Sequence, residues 1–250
     1  MGYRYYEGTL SSAEREAYRA MRSGLSSYET SFSVPRLDSR RLGEIFSMVK
    51  LDDPLIFHTG SLSFVAKDGA SNITVKPVYS MKKQEYSSTV EIVKKRVRKV
   101  MAPADGFLSL EAEKYIHDYI VRNVRYDKLK KTYSHEVTGP LCHGIGVCEG
   151  MSKVFKLLCD AAGIECLVVT GIGVPPDAAT GKKSERHAWN IVIINGVAAA
   201  LDVTFDASLS SGGRICRAFF NVSDEVMRTC HGREDFPVPR CPGSKPRREV

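Results

Sequence analysis

Apolar residues along the chain follow two rhythms, and each change of rhythm marks an element. Ser11-Ser12-Ala13-Glu14 has capping-box spacing and leads into a helix with Ala13, Ala17, Ala20 and Met21 on one face, stopping near Gly24. Residues 28–34 alternate loosely, as a strand does, ahead of Pro35. Asp38 or Ser39 can cap a second helix carrying Leu42, Ile45, Phe46 and Val49 on one side. The runs 61–66 and 72–79 alternate around the turn pair Asp68-Gly69. Leu62 and Phe64, with Ile73 and Val75, predict a half-buried hairpin. A third helix over about 85–101 buries Val90, Val93, Val97, Val100 and Met101, and Ala102-Pro103-Ala104-Asp105-Gly106 then breaks the pattern.

Beyond that break, Ser109 can cap a helix burying Ala112, Ile116, Tyr119 and Ile120, which ends near Asn123 and leads into Val124-Arg125-Tyr126-Asp127. Residues 128–143 are polar and irregular, a loop of a length that usually lines a site. From Cys148 the helical rhythm returns through Met151, Val154, Phe155, Leu158, Ala161 and Ala162, and Gly163 supplies a left-handed stop. Cys166–Ile172 reads as an apolar strand, and Gly173 to Ser184 as a loop. His187–Ile194, the pair Asn195-Gly196 and Val197–Val203 read as a hairpin around a type I′ turn. Apolar residues on both faces of Ile191–Ile194 predict a sheet covered on both sides.

These elements imply an α+β fold in three parts: an N-terminal helical and hairpin region over 1–104, a core over 105–235, and a Pro-rich basic tail over 236–250, expected extended or disordered. Apolar content of 43% and charged content of 26% are those of a globular protein, and no apolar run approaches a membrane span. The N-terminus lacks the apolar stretch of a signal peptide. Seven cysteines with no Cys-x-x-Cys spacing give neither a disulfide framework nor a structural zinc site. Free thiols point to a cytoplasmic setting for the sequence as it stands, or an extracellular or cell-surface one had an export signal been removed. The net charge is +7, and its densest run, Lys94, Lys95, Arg96, Arg98 and Lys99, reads as a solvated helix face, so no nucleic acid is expected.

Against this background one cysteine stands out. Cys148 lies in or just before the first turn of its helix, where unpaired N–H groups and the helix dipole favour an anionic sulfur. In the hairpin, Asn195-Gly196 as the turn puts Ile194 opposite Val197, His187 opposite Thr204 and Trp189 opposite Asp202. His187 and Asp202 then share a sheet face as diagonal neighbours, with backbones roughly 7–8 Å apart. A slip of one residue would send them to opposite faces. Singly, His187 reads as a strand-end histidine, Asp202 as the cap of the turn that follows, and Cys148 as a small buried thiol. Together they read as a thiol nucleophile (Cys148), its base (His187) and the carboxylate that orients the base (Asp202).

Gly146-Val147-Cys148-Glu149-Gly150, His187-Ala188-Trp189-Asn190 and Asp202-Val203-Thr204-Phe205-Asp206 resemble, in order and spacing, the transglutaminase-like superfamily of papain-fold thiol enzymes, and its bacterial branch in particular. Weaker support comes from Tyr115–Ile120 with Tyr126-Asp127, and from Phe219–Asp224, so the resemblance covers about residues 107–231. It implies a papain-like core, the same three roles for Cys148, His187 and Asp202, no cofactor and no metal. The implied substrate is a protein or peptide, whose peptide or carboxamide bond is opened through a thioester. Hydrolysis is the favoured outcome. Cross-linking by acyl transfer to a lysine amine and a non-catalytic binding module that keeps the fold are the alternatives. Two features depart from the family pattern. Small residues, Gly196-Val197-Ala198-Ala199-Ala200-Leu201, stand before Asp202 where relatives carry bulky aromatics. No side chain identifies itself as the second oxyanion donor, with Tyr126, Tyr133 and His135 as upstream candidates.

Overall fold

The computed structural model describes residues 2–175 and 184–243, so most of the expected loop from Gly173 to Ser184 and the end of the tail lie outside the described residues. The chain forms two compact units, Arg4–Ile92, and Val93–Val250 with Met1–Tyr3. The division falls inside a helix and not at the Ala102–Gly106 break.

The first unit begins with α1 (Tyr5–Thr9), too short to show a periodicity, and α2 (Ser12–Ser26). The capping box of α2 is formed, with the Ser11 N–H donating to Glu14 Oε2 at 2.9 Å. Its buried face runs through Ala17, Tyr18, Met21 and Leu25, while Ala13 is exposed. The helix is thus turned toward its larger side chains, which remove more apolar surface from water. β1 (Phe32–Pro35), α3 (Ser39–Asp52), β2 (Thr59–Ala66) and β3 (Asn72–Tyr79) follow. Asp38 caps α3 by accepting from the Arg40 and Arg41 N–H groups. The strands form an antiparallel sheet in the order β1-β3-β2, with Phe64 opposite Val75. Ile73 and Val75 are buried and Leu62 and Phe64 half-buried, the hairpin expected. Helix α4 (Lys83–Met101) carries the division. Val93, Val97 and Val100 are buried on it, and the basic residues at 94, 95, 96, 98 and 99 are exposed.

In the second unit α4 ends in a 3-10 turn, and α5 (Ser109–Asn123) starts behind Leu108, one residue before the expected cap. The Leu108 N–H is taken by the Glu111 carboxylate at 3.3 Å. β4 (Arg125–Tyr126) and β5 (Ile145–Gly146) make a short parallel ribbon, and the irregular stretch between them contains a 3-10 turn at Thr132–His135 and a π turn at Gly139–His143. Helix α6 (Cys148–Ala161) starts at Cys148 and runs out into Gly163 at φ +71°. Met151, Val154, Phe155 and Leu158 are buried as expected, but Ala161 is exposed. Lys153 and Lys156 are buried too. Lys153 reaches Glu136 and Glu149 at 2.7 Å, and Lys156 reaches Asp160 at 3.0 Å and the Tyr3 carbonyl at 2.7 Å. A helix enclosed on nearly every side keeps its charges only because each is paired.

Behind α6 stands an antiparallel sheet in the order β8-β7-β6-β9, made of β6 (Glu165–Gly173), β7 (Glu185–Ile194), β8 (Val197–Leu201) and β9 (His231–Glu234). Asn195 and Gly196 take φ of 53° and 74°, as a type I′ turn requires, and pairing runs from Ile194–Val197 to Asn190–Leu201 in the expected register. β8 stops at Leu201, short of Val203, because Asp202 leaves the strand to cap α7 (Val203–Leu209). Asn190 turns toward α6 and donates to the Ser152 carbonyl at 3.0 Å. Trp189 and Ile191 lie on the other face, beside residues 236–240. The short helix α8 (Asp224–Met227) precedes β9. The tail, expected to be extended or disordered, has neither helix nor strand from residue 236 to 243 and yet packs. Cys241 is 1% exposed and its carbonyl accepts the Asp224 N–H, so a buried thiol and a backbone bond hold this part of the tail in place. The fold is α+β, a helix headed by Cys148 packed on an antiparallel sheet, with a smaller N-terminal α/β unit.

Candidate active site

The head of α6 is fixed by the loop before it. Asp127 accepts from the Leu129 and Lys131 N–H groups at 3.1 and 3.0 Å and from Ser134 Oγ at 2.6 Å. The Ser134 carbonyl in turn accepts the Val147 N–H at 3.0 Å. Gly150 lets the first turn of α6 approach that same carbonyl, because a methyl group on it would be driven into the Ser134 oxygen. Cys148 is the first residue of the helix and is partly exposed, whereas Cys159 and Cys166 are buried. Burial pushes the Cys159 thiol well up.

His187 and Asp202 come together as the hairpin register predicts, with His187 Nε2 at 2.6 Å from Asp202 Oδ2. A carboxylate only accepts, so Nε2 carries the proton and donates, and Nδ1 is left for other work. Gly173 on the adjoining strand makes room for the ring, since a Cβ there would lie 2.9 Å from its atoms. Phe205 stacks on the imidazole with centroids 4.4 Å apart. Burial works against charge on His187, but the Asp202 charge and hydrogen bond outweigh it. The Cys148 thiol adds a hydrogen bond and charge in the same sense, and the imidazole is pushed up to about 10. Burial likewise opposes charge on Asp202, yet the charge and hydrogen bond of His187, with the His231 bond, hold this carboxyl well below its ordinary value. Asp202 also caps α7, its Oδ1 accepting from the Thr204 and Phe205 N–H groups at 2.9 and 3.0 Å. Asp202 thus serves as the cap of α7 through Oδ1 and as a hydrogen-bond partner of His187 through Oδ2.

His231 is the residue that sequence reasoning missed. Its Nε2 donates to Asp202 Oδ2 at 2.8 Å, beside the His187 bond. Cys230-His231-Gly232-Arg233-Glu234 has no apolar alternation, and β9 is created by pairing His231 with Gly173 across the sheet, so no local signal pointed to it. The weaker motifs build the frame behind. His117 Nε2 bonds Asp206 of α7 at 3.0 Å, Asp206 accepts the Phe219 N–H, and Asn221 donates to Glu113. Among the described residues, His187, Asp202 and His231 form one group able to offer a metal three ligand atoms, all within 4.8 Å of one another. Separations of 2.6 and 2.8 Å are those of hydrogen bonds. A tetrahedral zinc ion with bonds of about 2.0 Å would need ligand atoms about 3.3 Å apart.

A cavity of about 500 Å³ opens beside His187, with Tyr126, Lys128, Lys130, Met151, Glu185 and Arg186 in its wall. Of the three upstream candidates, Tyr126 faces this cavity, while His135 pairs with Glu149 and Tyr133 lies against His143. Burial, then the negative charge of Cys148, Glu185 and Asp202, pushes the Tyr126 phenol up to about 12, so it stays an O–H donor at neutral pH. A second cavity of about 220 Å³ lies between Trp189, Ala200, His231 and the tail residues 236–240. Of the small residues of β8, Ala200 lines this rear space, and none stands in the wall beside His187.

Residues 94–198 match the model of the Transglutaminase-like superfamily, and the resemblance carried by the motifs is shown for that segment. It contains Cys148 and His187 and ends before Asp202. Among curated proteins none matches this chain. Solved structures similar to it include the following three. A crystal structure of a TGase is 13% identical with a TM-score of 0.39, over 72% of this chain and 50% of that one. A cysteine protease candidate from Cytophaga hutchinsonii is 14% identical, TM-score 0.38, over 58% and 61%. A protease candidate from Parabacteroides distasonis is 11% identical, TM-score 0.33, over 57% and 36%. The chain spans about half the length of the first and less than two thirds of the other two.

Proposed function

We propose that this transglutaminase-like core is a cysteine-nucleophile hydrolase acting on peptide or carboxamide bonds. The observation that carries the reading is the 2.6 Å bond from His187 to Asp202, which with the Asp202 charge raises the imidazole to about 10, in a chain whose Cys148 heads α6. Such an imidazolium has a proton to give and an anionic sulfur to stabilise.

Cys148 Sγ attacks the carbonyl carbon, and the developing oxyanion is met by the Cys148 N–H and the Tyr126 O–H. His187 Nδ1–H protonates the departing amine as the C–N bond breaks, leaving an acyl thioester. Water then attacks the thioester carbonyl while His187 takes its proton, the C–S bond breaks, and a carboxylic acid leaves. Asp202 keeps the proton of Nε2 where it is and stabilises the cation. In the cavity wall Lys130 pairs with Glu185 and Arg186 with Asp235, and the further positive charge of Lys128 favours water over a protonated lysine as acyl acceptor.

Iodoacetamide at near-neutral pH tests the activated thiol. Cys148 is expected to alkylate well ahead of Cys159 and Cys166 and ahead of the partly exposed Cys216. Slow labelling of Cys148, no faster than Cys216, contradicts the proposal.

A further inference from the structure

We propose that His231 is a positioning residue for this site, holding Asp202 in the one orientation that serves His187; the inference rests on the thiol-hydrolase reading above. A carboxylate has about four acceptor positions, and those of Asp202 are filled. Oδ1 takes the Thr204 and Phe205 N–H groups, and Oδ2 takes His187 at 2.6 Å and His231 at 2.8 Å. The first two donors are backbone of α7 and fix one end of the carboxylate. His231 fixes the other end from the opposite side of β6.

His231 is built for this. Its side chain is 2% exposed, and its ring sits against Trp189 and Phe205 with centroids 4.8 and 4.9 Å away. Nδ1 lies 3.2 Å from the Met227 carbonyl and 3.3 Å from Cys230 Sγ. With Nε2 on Asp202 and Nδ1 on α8 and its flank, neither ring nitrogen is directed to Cys148, so His231 acts through Asp202 and is not a second base. It also lines the rear cavity of about 220 Å³. Without its N–H, Oδ2 would keep one partner beside a space that water can enter, and the carboxylate could turn away from His187.

The test measures iodoacetamide alkylation of each cysteine in the full chain, by peptide mass spectrometry at neutral pH, with thermal unfolding alongside. His231→Leu is expected to slow Cys148 by about ten- to a hundredfold, the worth of a hydrogen bond to a charged group, with Cys142 and Cys216 unchanged. His231→Gln, whose amide N–H can still reach Asp202, should recover to within about threefold of wild type. His231→Asn, too short to reach, should stay slow, which keeps the test decisive if the leucine variant does not fold. In an Asp202→Asn background His231→Leu should add nothing, since both changes remove one function. Wild-type rates at Cys148 in the leucine or asparagine variant, or a full added loss in the Asp202→Asn background, would overturn the assignment. If wild-type Cys148 itself reacts no faster than Cys216, the hydrolase reading falls first and takes this one with it.

Discussion

Asp202 divides its labour between two oxygens, one for the α7 cap and one for the imidazoles, and a substitution there touches both. Asp202→Asn keeps an acceptor but presents an N–H to one of these partners. If it meets His187, it favours the wrong tautomer, and turnover should fall by about 10⁴-fold. A kinetic assay with retained wild-type rates would refute the role. The two shifts also predict how stability follows pH. His187 is raised from 6.5 to about 10, so its contribution is complete below pH 6.5 and drains away as pH rises to about 10. Asp202 is lowered from 3.8, so its contribution is present above that pH and is lost below it. The stability advantage of wild type over His187→Gln in urea should shrink from pH 6.5 to 10. An advantage constant over that window would exclude a charged His187 in the native state.

Two glycines matter at the scale of elements because of what lies beside them. Gly150 faces backbone, the Ser134 carbonyl, and neither partner can yield without moving the loop that seats Cys148. Gly150→Ala should cost about 1–3 kcal/mol, read from denaturant unfolding. Gly173 faces a side chain, the His187 ring at 2.9 Å. Gly173→Ala should therefore slow Cys148 alkylation while leaving Cys216 alkylation unchanged, and a wild-type rate at Cys148 would mean that His187 is not held by this contact. The hairpin between these sites was legible in the sequence, because Asn195-Gly196 specifies a turn and the turn specifies every pair behind it. The end of β8 was not legible, since a capping aspartate competes with the ladder and wins at Asp202. The cap of α5 was misplaced by one residue because Glu111, and not a serine hydroxyl, satisfies the exposed N–H.

Across the whole molecule, legibility fell with the distance over which a contact is made. Cys148 announced itself by its place at a helix start, and His187 with Asp202, 15 residues apart, by a local hairpin. His231 joins Asp202 from 29 residues beyond, through a strand that exists only because β6 is there to pair with it. Buried lysines on α6 were equally hidden, as their partners Glu136 and Tyr3 come from separate parts of the chain. The packing of the tail is hidden for the same reason: prolines and basic residues read as extended chain, while Cys241 is buried and its carbonyl pairs with the distant Asp224 N–H. What remained readable were the three motifs whose residues the fold then gathers at the head of α6 and the His187 end of β7. In the proposed reaction Cys148 carries the acyl group. This role is tested most directly by incubating the protein with a peptide library in ¹⁸O-water, quenching in acid, and reading the Cys148 peptide and the released products by mass spectrometry. A thioester on Cys148 with ¹⁸O-labelled carboxylic acid products, both absent in Cys148→Ala, is the predicted result; product formation by Cys148→Ala at the wild-type rate, with no adduct on Cys148 in wild type, would contradict it.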